Sequence, residues 1–253
     1  NDVILRSSPV QVGAGTWSVI SATTGLISGS QSAGGISSNL LYMWGSNGAG
    51  ELGQSDVIAR SSPVQVGAGT WSKMVAAQSY TAAINSSNLL FIWGNNNSYQ
   101  LVQGDDILRS SPVQVGTGTW SVLSNSGFVR DAFFAIDSSN LLYSIGAGSF
   151  GSLGLNDTVS SAPGVRDGLT LVGNQLLNAL SSPVQVGAGS WSKIAAGASH
   201  SLGITSTNTL FAWGYNTSGQ LGLSDYKPRS SPVQIGSGTW NNIFASSDTS
   251  IFT

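Results

Sequence analysis

At 253 residues, with 40% hydrophobic residues and a formal net charge of −2, the chain is expected to fold around a substantial core and not to remain disordered. Charged residues make up only 8%, and no cluster of lysine or arginine could neutralise a nucleic-acid backbone, so we expect no nucleic-acid partner. The absence of cysteine excludes disulfides and thiolate sites, and no run of about 18 apolar residues suits membrane insertion.

A tandem repeat dominates the sequence from its beginning. The segment SSPVQVGAGTW occurs at residues 7–17 and again at 61–71, and three close variants follow. The prolines that mark the start of the five units are Pro9, Pro63, Pro112, Pro183 and Pro232. Their spacings of 54, 49, 71 and 49 residues give a base period of 49 with insertions. A fixed period of this length indicates supersecondary units that stack on one another.

A second anchor, NLLYMWG at residues 39–45, recurs in the next three units. In the last complete unit we predict four strands, at residues 183–186, 191–196, 201–204 and 209–213, with a polar hairpin turn at 205–208. Apolar residues on both faces of the fourth strand indicate a strand that is buried on both sides, and the proline that opens the first strand suits a sheet edge. Four-stranded units of this kind predict an all-β fold, a β-propeller; a β-solenoid is the structural alternative.

The segment from Trp191 to Ile235, with its Gly-x-x-His, WG and GQLG elements, resembles the regulator-of-chromosome-condensation repeat family, and the few charges suggest its bacterial or phage branch. The resemblance implies a binding scaffold. The founding member is a nucleotide-exchange factor that touches chromatin, which the charge balance does not suit, and no exchange residue carries over. The family histidine occurs once, at His200; the aligned positions hold Tyr80, Ala132 and Gln31.

The resemblance also implies a ring of about seven blades. Only five units are visible, and the fifth stops at Thr253 before its second anchor. We therefore expect residues 1–253 to be a single propeller domain or a fragment of one, completed by further chain or by a partner.

The titratable residues do not suggest an enzyme. His200 could act as a general base, but no Ser–Asp arrangement recurs around it, so a structural strand-start histidine is the expectation. An aspartate and an arginine four residues apart precede SSP in four units: Asp2/Arg6, Asp56/Arg60, Asp105/Arg109 and Asp225/Arg229. They could form a ring of charge for a partner, but recurrence favours a loop clip. No metal, cofactor or catalytic residue is predicted.

Tryptophans recur at fixed repeat positions: Trp17, Trp71, Trp120, Trp191 and Trp240 in the first anchor, and Trp44, Trp93 and Trp213 in the second. Such a set could stack on carbohydrate, but aromatic residues at one blade position are more typical of a core between blades.

The third unit departs most from the pattern, because 37 residues separate Gly146 from Pro183 where the other units have 18. The excess falls at about residues 159–180. It carries apolar residues that could dock a neighbouring subunit: Val159, Val165, Leu169, Leu171, Val172, Leu176, Leu177 and Leu180. The alternative is an insertion that packs on its own propeller.

The leading hypothesis is a non-enzymatic structural or protein-interaction module on an extracellular or virion surface, such as a phage or bacterial appendage, whose partners are other protein subunits of a larger assembly. A receptor- or glycan-binding propeller is the alternative.

Overall fold

The computed structural model describes residues 11–13, 15–23, 31–124, 132–148, 151–156, 169–172, 175–180, 182–246 and 249–253. Every regular element in these ranges is a β-strand. No helix that could cross a membrane occurs among them.

The strands form successive antiparallel blades, which we number in chain order. Blade 1 contains β1 (Val19–Ala22), β2 (Ser32–Ser37), β3 (Leu40–Gly45) and β4 (Arg60–Gln65). Blade 2 contains β5 (Trp71–Ala76), β6 (Tyr80–Asn85), β7 (Leu89–Gly94) and the first part of β8 (Arg109–Leu123). Blade 3 contains the second part of β8, β9 (Ala132–Asp137), β10 (Leu142–Gly148), the inserted strands β11 (Leu169–Val172) and β12 (Gln175–Ala179), and β13 (Val184–Gln185). Blade 4 contains β14 (Trp191–Ala196), β15 (His200–Thr205), β16 (Leu210–Gly214) and β17 (Arg229–Gln234).

A two-stranded hairpin of β18 (Ile243–Ala245) and β19 (Ser250–Phe252) follows blade 4. These strands occupy the place of the first two strands of a fifth blade, because β18 packs against β14 and β15 of blade 4 as β5 packs against β1 and β2 of blade 1. Blade-type sheets throughout the described chain confirm the predicted propeller class.

The blades are offset from the repeat units by one strand, which corrects the strand grouping predicted from the sequence. The SSPV strand does not open its own unit's sheet. It closes the preceding one: β4 pairs with β3, β17 pairs with β16, and β13 pairs with β10. The chain passes to the next blade only after the Gly-x-Gly stretch, where Gly67 has a φ of +56°. The edge position predicted for the proline is confirmed, since β4 and β17 end their sheets.

The predicted polar hairpin turns are also confirmed. Thr205 ends β15 and Leu210 begins β16. In the equivalent turn of blade 2, the side-chain oxygen of Asn85 accepts the backbone N–H groups of Ser87 and Leu89 at 3.0 and 2.9 Å. Asn88 there has a φ of +61°, a conformation that asparagine tolerates better than most residues.

The apolar core lies between neighbouring blades. One cluster joins Met43 of blade 1 to Met74 of blade 2, and another joins Ile92 of blade 2 to Phe133 of blade 3. Further clusters join blade 3 to blade 4 and blade 4 to the final hairpin. Each complete blade between two others therefore has both faces covered, as the apolar pattern of the second anchor predicted.

Candidate functional site

The repeat tryptophans lie in the core where they are enclosed by two blades. Trp71, Trp120 and Trp191 are buried and meet an aromatic ring of their own blade edge to face, at centroid distances of 5.2–5.4 Å. Trp93 and Trp213 are fully buried. Trp17, Trp44 and Trp240 are half-buried. The buried rings have no face free for a sugar, so their role is packing between blades.

One carbonyl of each Gly-x-Leu-Gly loop fastens the next blade. The backbone oxygen of Glu51 in blade 1 accepts the Thr81 hydroxyl at 2.8 Å and the Trp93 indole N–H at 2.9 Å. In blade 3 the backbone oxygen of Ser152 accepts the equivalent groups of Ser201 and Trp213 at 3.3 and 3.0 Å. These hydrogen bonds are buried, so the indole N–H groups are satisfied only when the blades are assembled.

His200 belongs to the same set of contacts. It is buried at the start of β15, and its Nε2 lies 2.9 Å from the Ser250 hydroxyl. That hydroxyl also donates to the Gln220 carbonyl at 2.8 Å, as the hydroxyls of Thr81 and Ser201 donate to the loop of the preceding blade. The Ser–His contact therefore joins blade 4 to the final hairpin.

The strand register corrects one alignment made from the sequence. His200 pairs with Gly214, Tyr80 with Gly94, and Ala132 with Gly146. In blade 1 the residue opposite Gly45 is Ser32, not the neighbouring Gln31. The additional residues before β2 shifted the sequence alignment by one residue, and the pairing of β2 with β3 identifies the equivalent position.

The Asp–Arg pairs form loop clips, as predicted. In each described clip an arginine Nη2 lies 2.5–2.7 Å from the aspartate Oδ2, and its Nη1 donates to the carbonyl two residues before it. The other aspartate oxygen accepts the N–H two residues after it. The clips are Asp56/Arg60, Asp105/Arg109 and Asp225/Arg229; the pair Asp2/Arg6 lies outside the described residues.

These bonds lower the pKa of all three aspartates. For Asp56 the largest cause is the Ile58 N–H, followed by Arg60, and for Asp105 and Asp225 it is the paired arginine. All three side chains keep about a third of their surface exposed (31–33%), so water screens the ion pairs.

A buried asparagine that the sequence did not single out completes each clip. Asn47, Asn96 and Asn216 are at most 1% exposed. The amide nitrogen of Asn96 donates to the backbone oxygen and Oδ1 of Asp105 at 2.6 and 3.2 Å, and its oxygen accepts the Leu101 N–H at 2.9 Å. The signal that could have revealed this residue is its fixed place two residues after each WG glycine of blades 1, 2 and 4.

In blade 3 the insertion takes the place of the clip. Strands β11 and β12 form a hairpin, and β12 pairs with the end of β10 through Ala147–Ala179 and Gly148–Asn178. Leu180 occupies the position that an arginine has in the other blades, opposite the glycine that ends the third strand. Its N–H donates a hydrogen bond to the Gly146 carbonyl at 3.0 Å. Its half-buried side chain packs against the core clusters on both sides of blade 3.

The other apolar residues predicted to dock a neighbour fall into two groups. Val159 and Val165 lie outside the described residues. Leu169, Leu171, Val172, Leu176 and Leu177 lie in the hairpin strands, whose backbone pairing is described but whose side chains are not.

Blade 3 also has an open cavity of about 410 Å³, lined by Trp120, Asp137, Tyr143 and Pro183 among others. Burial raises the pKa of Tyr143, and the neighbouring Asp137 carboxylate raises it further. Blade 1 has Tyr42 at the position of Tyr143, and blades 2 and 4 have Phe91 and Phe211 there. The position of Asp137 holds Asn85 in blade 2 and Thr205 in blade 4, so the carboxylate beside a phenol distinguishes blade 3 from these blades. No group of three or more potential metal ligands occurs among the described residues.

Comparison with known proteins agrees with this architecture. Residues 191–220 and 208–250 match the profile of the Regulator of chromosome condensation (RCC1) repeat. Prp20p from Saccharomyces cerevisiae superposes with a TM-score of 0.76 at 14% identity, over 96% of this chain and 56% of Prp20p. Human WBSCR16 superposes with a TM-score of 0.73 at 16% identity, over 97% of this chain and 59% of WBSCR16. No curated protein sequence matches the chain.

The chain spans little more than half the length of these structures, and at such identities the likeness establishes the fold alone. That fold is a β-propeller of four-stranded blades. Blade 4 and the strands that follow it carry the matched RCC1 repeats, and the chain as a whole shares the fold of the RCC1 propellers.

Proposed function

We propose that this protein is a non-enzymatic protein-interaction module and that the insertion of blade 3 takes part in binding. The observation that carries the proposal is the β11–β12 hairpin, which interrupts an otherwise regular scaffold at the point where the other blades carry a clip. Elements that depart from a regular repeat are commonly the ones that bind.

The chemistry of the described residues supports a binding role over an enzymatic one. The aspartates and arginines of the clips form ion pairs within their own loops, and His200 contacts Ser250 of the final hairpin. Prp20p, which shares the fold, has been studied for its binding to Gsp1p and histones. A histone-like or nucleic-acid partner suits the present chain poorly, because it has only eleven acidic and nine basic residues in 253.

The low charge and the Ser-, Asn- and Gly-rich repeats favour a structural component of an extracellular or virion surface, such as a phage or bacterial appendage, within a larger protein assembly. The same composition favours the bacterial or phage branch of the repeat family.

The insertion can be removed in a way that keeps the scaffold. Deleting residues 159–177 removes 19 residues and restores the 18-residue spacing between Gly146 and Pro183. It retains Leu180, which packs into two core clusters, and the pairing of Ala179 with Ala147. We expect the deleted protein to fold and to lose binding to a partner that the intact chain captures and that is then purified and titrated. Unchanged affinity for that partner would exclude a role for the insertion.

A receptor- or glycan-binding propeller is the second candidate, and the cavity of blade 3 favours it. An aromatic wall beside a carboxylate and a phenol can hydrogen-bond to sugar hydroxyls. A glycan array should then show binding that Asp137→Asn and Tyr143→Phe each reduce, while Phe91→Tyr in blade 2 leaves it unchanged.

A further inference from the structure

The connections between the third and fourth strands of the blades share one end of the molecule. In blades 1, 2 and 4 these connections contain the clips at residues 56–60, 105–109 and 225–229, and in blade 3 the β11–β12 hairpin emerges there. We call this end the clip face. The blades repeat one topology, so equivalent connections must lie on the same side.

Large apolar side chains point to solvent at the clip face. Their exposed fractions lie between 45% and 71%, and they account for half of the large hydrophobic residues that are exposed in the described chain: Val57, Ile58, Ile107, Leu108 and Tyr226. Each lies inside a clip, between the aspartate and the arginine. Repeated exposure of large apolar residues at one structural position marks an interaction surface more often than isolated exposure does.

The clips hold these side chains in place. The backbone N–H of Ile58 donates to Asp56 and its carbonyl accepts from Arg60 and Asn47. Ile107 is bound in the same way by Asp105 and Arg109. We call these exposed side chains the apolar tips. Because the backbone that carries them is already ordered, binding at the apolar tips costs little further conformational entropy.

Neighbouring clips form a continuous surface. Ser55, which precedes the blade 1 clip, donates its N–H to the carbonyl of Ser110, which follows the blade 2 clip, at 2.8 Å. The hydroxyls of Ser55 and Ser111 lie 2.9 Å apart. The apolar tips of blades 1 and 2 are therefore presented side by side by directly bonded loops.

The charges of the clip face are self-complementary. Each clip neutralises its own aspartate with its own arginine. Besides the buried Glu51, two charged side chains of this end form no ion pair within 4.0 Å among the described residues: the exposed Asp106 in blade 2 and the exposed Lys227 in blade 4, whose charge also helps to lower the pKa of Asp225. They have opposite signs, and the whole chain carries only −2, so long-range repulsion between two copies is small.

We propose that the clip face binds a second copy of this chain, face to face, about a two-fold axis through blade 3. Such an axis places blade 2 of one copy against blade 4 of the other. Asp106 of each copy then lies opposite Lys227 of the other copy, which gives two equivalent ion pairs in the dimer. The apolar tips are buried around these two ion pairs, and the two β11–β12 hairpins meet at the axis. The proposal rests on the proposed interaction function and names a partner for it.

Charge reversal tests the arrangement. Analytical ultracentrifugation of the full chain is expected to show a reversible dimer. Asp106→Lys or Lys227→Asp alone places like charges together at two sites and is expected to weaken dimerisation by roughly tenfold or more at low salt. The double variant Asp106→Lys/Lys227→Asp restores opposite charges and is expected to restore the dimer. Lys73→Asp, an exposed reversal away from the clip face, is the matched control.

A second pair of variants tests the apolar tips. Ile58→Ser combined with Ile107→Ser is expected to weaken the dimer, whereas Ile251→Ser, at a position 56% exposed in the final hairpin, is not. All these positions are exposed, so circular dichroism and unfolding midpoints should stay close to those of the unchanged protein.

A protein that stays monomeric up to near-millimolar concentration, or a dimer that is equally sensitive to the control variants, would overturn the proposal. So would a double charge variant that is no better than the single ones. The two proposals can fail separately. If the intact protein is a monomer and removal of residues 159–177 abolishes its binding to a protein partner, the dimer proposal is wrong and the proposed function stands.

Discussion

The glycine of the WG element gives the sharpest prediction of stability, and Gly94 in blade 2 is the best position to test it. Gly94 has a φ of +115°, a region that side chains with a Cβ rarely adopt. A Cβ added there would lie 2.5 Å from the Ser79 carbonyl oxygen and 2.6 Å from the Tyr80 Cα. Both are backbone atoms, so no side-chain rotation can relieve the contact.

The cost of Gly94→Ala has two parts. The backbone conformation alone contributes about 1–3 kcal/mol. The clash forces β6 away from β7, which disturbs the pairing of Tyr80 with Gly94 and the 2.8 Å hydrogen bond from Asn95 N–H to Ser79, at about 1 kcal/mol for each hydrogen bond lost. We therefore expect a loss of about 3–5 kcal/mol in the free energy of unfolding, a large part of the total for a domain.

Two other glycines separate these contributions. Gly67 has a φ of +56°, and a Cβ added there would have no neighbouring atom within 4 Å, so Gly67→Ala should cost only the conformational part, about 1–2 kcal/mol. Gly48 has neither a positive φ nor a close neighbour, so Gly48→Ala should be neutral or slightly stabilising. Urea unfolding followed by tryptophan fluorescence would measure all three. Equal losses for Gly94→Ala and Gly67→Ala would refute the argument that the close approach of β6 requires this glycine.

The remaining predictions concern the contacts between blades and the clips. Trp93→Phe removes the indole N–H that binds the Glu51 carbonyl and is expected to cost about 1–3 kcal/mol in urea unfolding. Asn96→Ala removes the buried centre of a clip and should cost about 2–4 kcal/mol, whereas the exposed neighbour Asn97→Ala should change little. The lowered pKa of the clip aspartates means that the folded state favours their ionised form. The stability that they add is therefore fully present at a pH above 3.8, the ordinary pKa of aspartate, and is lost as the pH falls through the lowered pKa of the folded state. A pH series of unfolding midpoints should fall in this acid range, and less steeply in a variant with asparagine at all three clip aspartates.

Much of the architecture could be predicted from the sequence because the first anchor of the repeat occurs five times. The anchors gave the strands, the hairpin turns and the burial of both blade faces, and the spacing of aspartate and arginine gave the clip. Each of these depends on residues close together in the chain, such as Asp105 and Arg109, whose contacts follow from local geometry.

The clip face illustrates what could not be predicted. The sequence placed Ile58 in the Asp56/Arg60 loop clip, but it did not show whether a neighbouring blade covers that loop. Ile58 is exposed because Asn47 and Arg60 hold its backbone in a loop that no neighbouring blade covers. Likewise, the asparagine that centres each clip looked like one more polar residue of a loop.

The sequence by itself thus determined the class of fold, the number of repeat units and the place where the regular pattern is interrupted, since these follow from periodicity and from side-chain alternation. Only the tertiary structure decided which sheet each SSPV strand joins. The apolar pattern of an edge strand fits either neighbouring sheet, and the choice is made by hydrogen bonds such as that from Val66 to Leu41 across the blade. The tertiary structure also decided that the insertion of blade 3 and the exposed apolar tips share one face, because residues far apart in the chain come to the same end only when the blades stack.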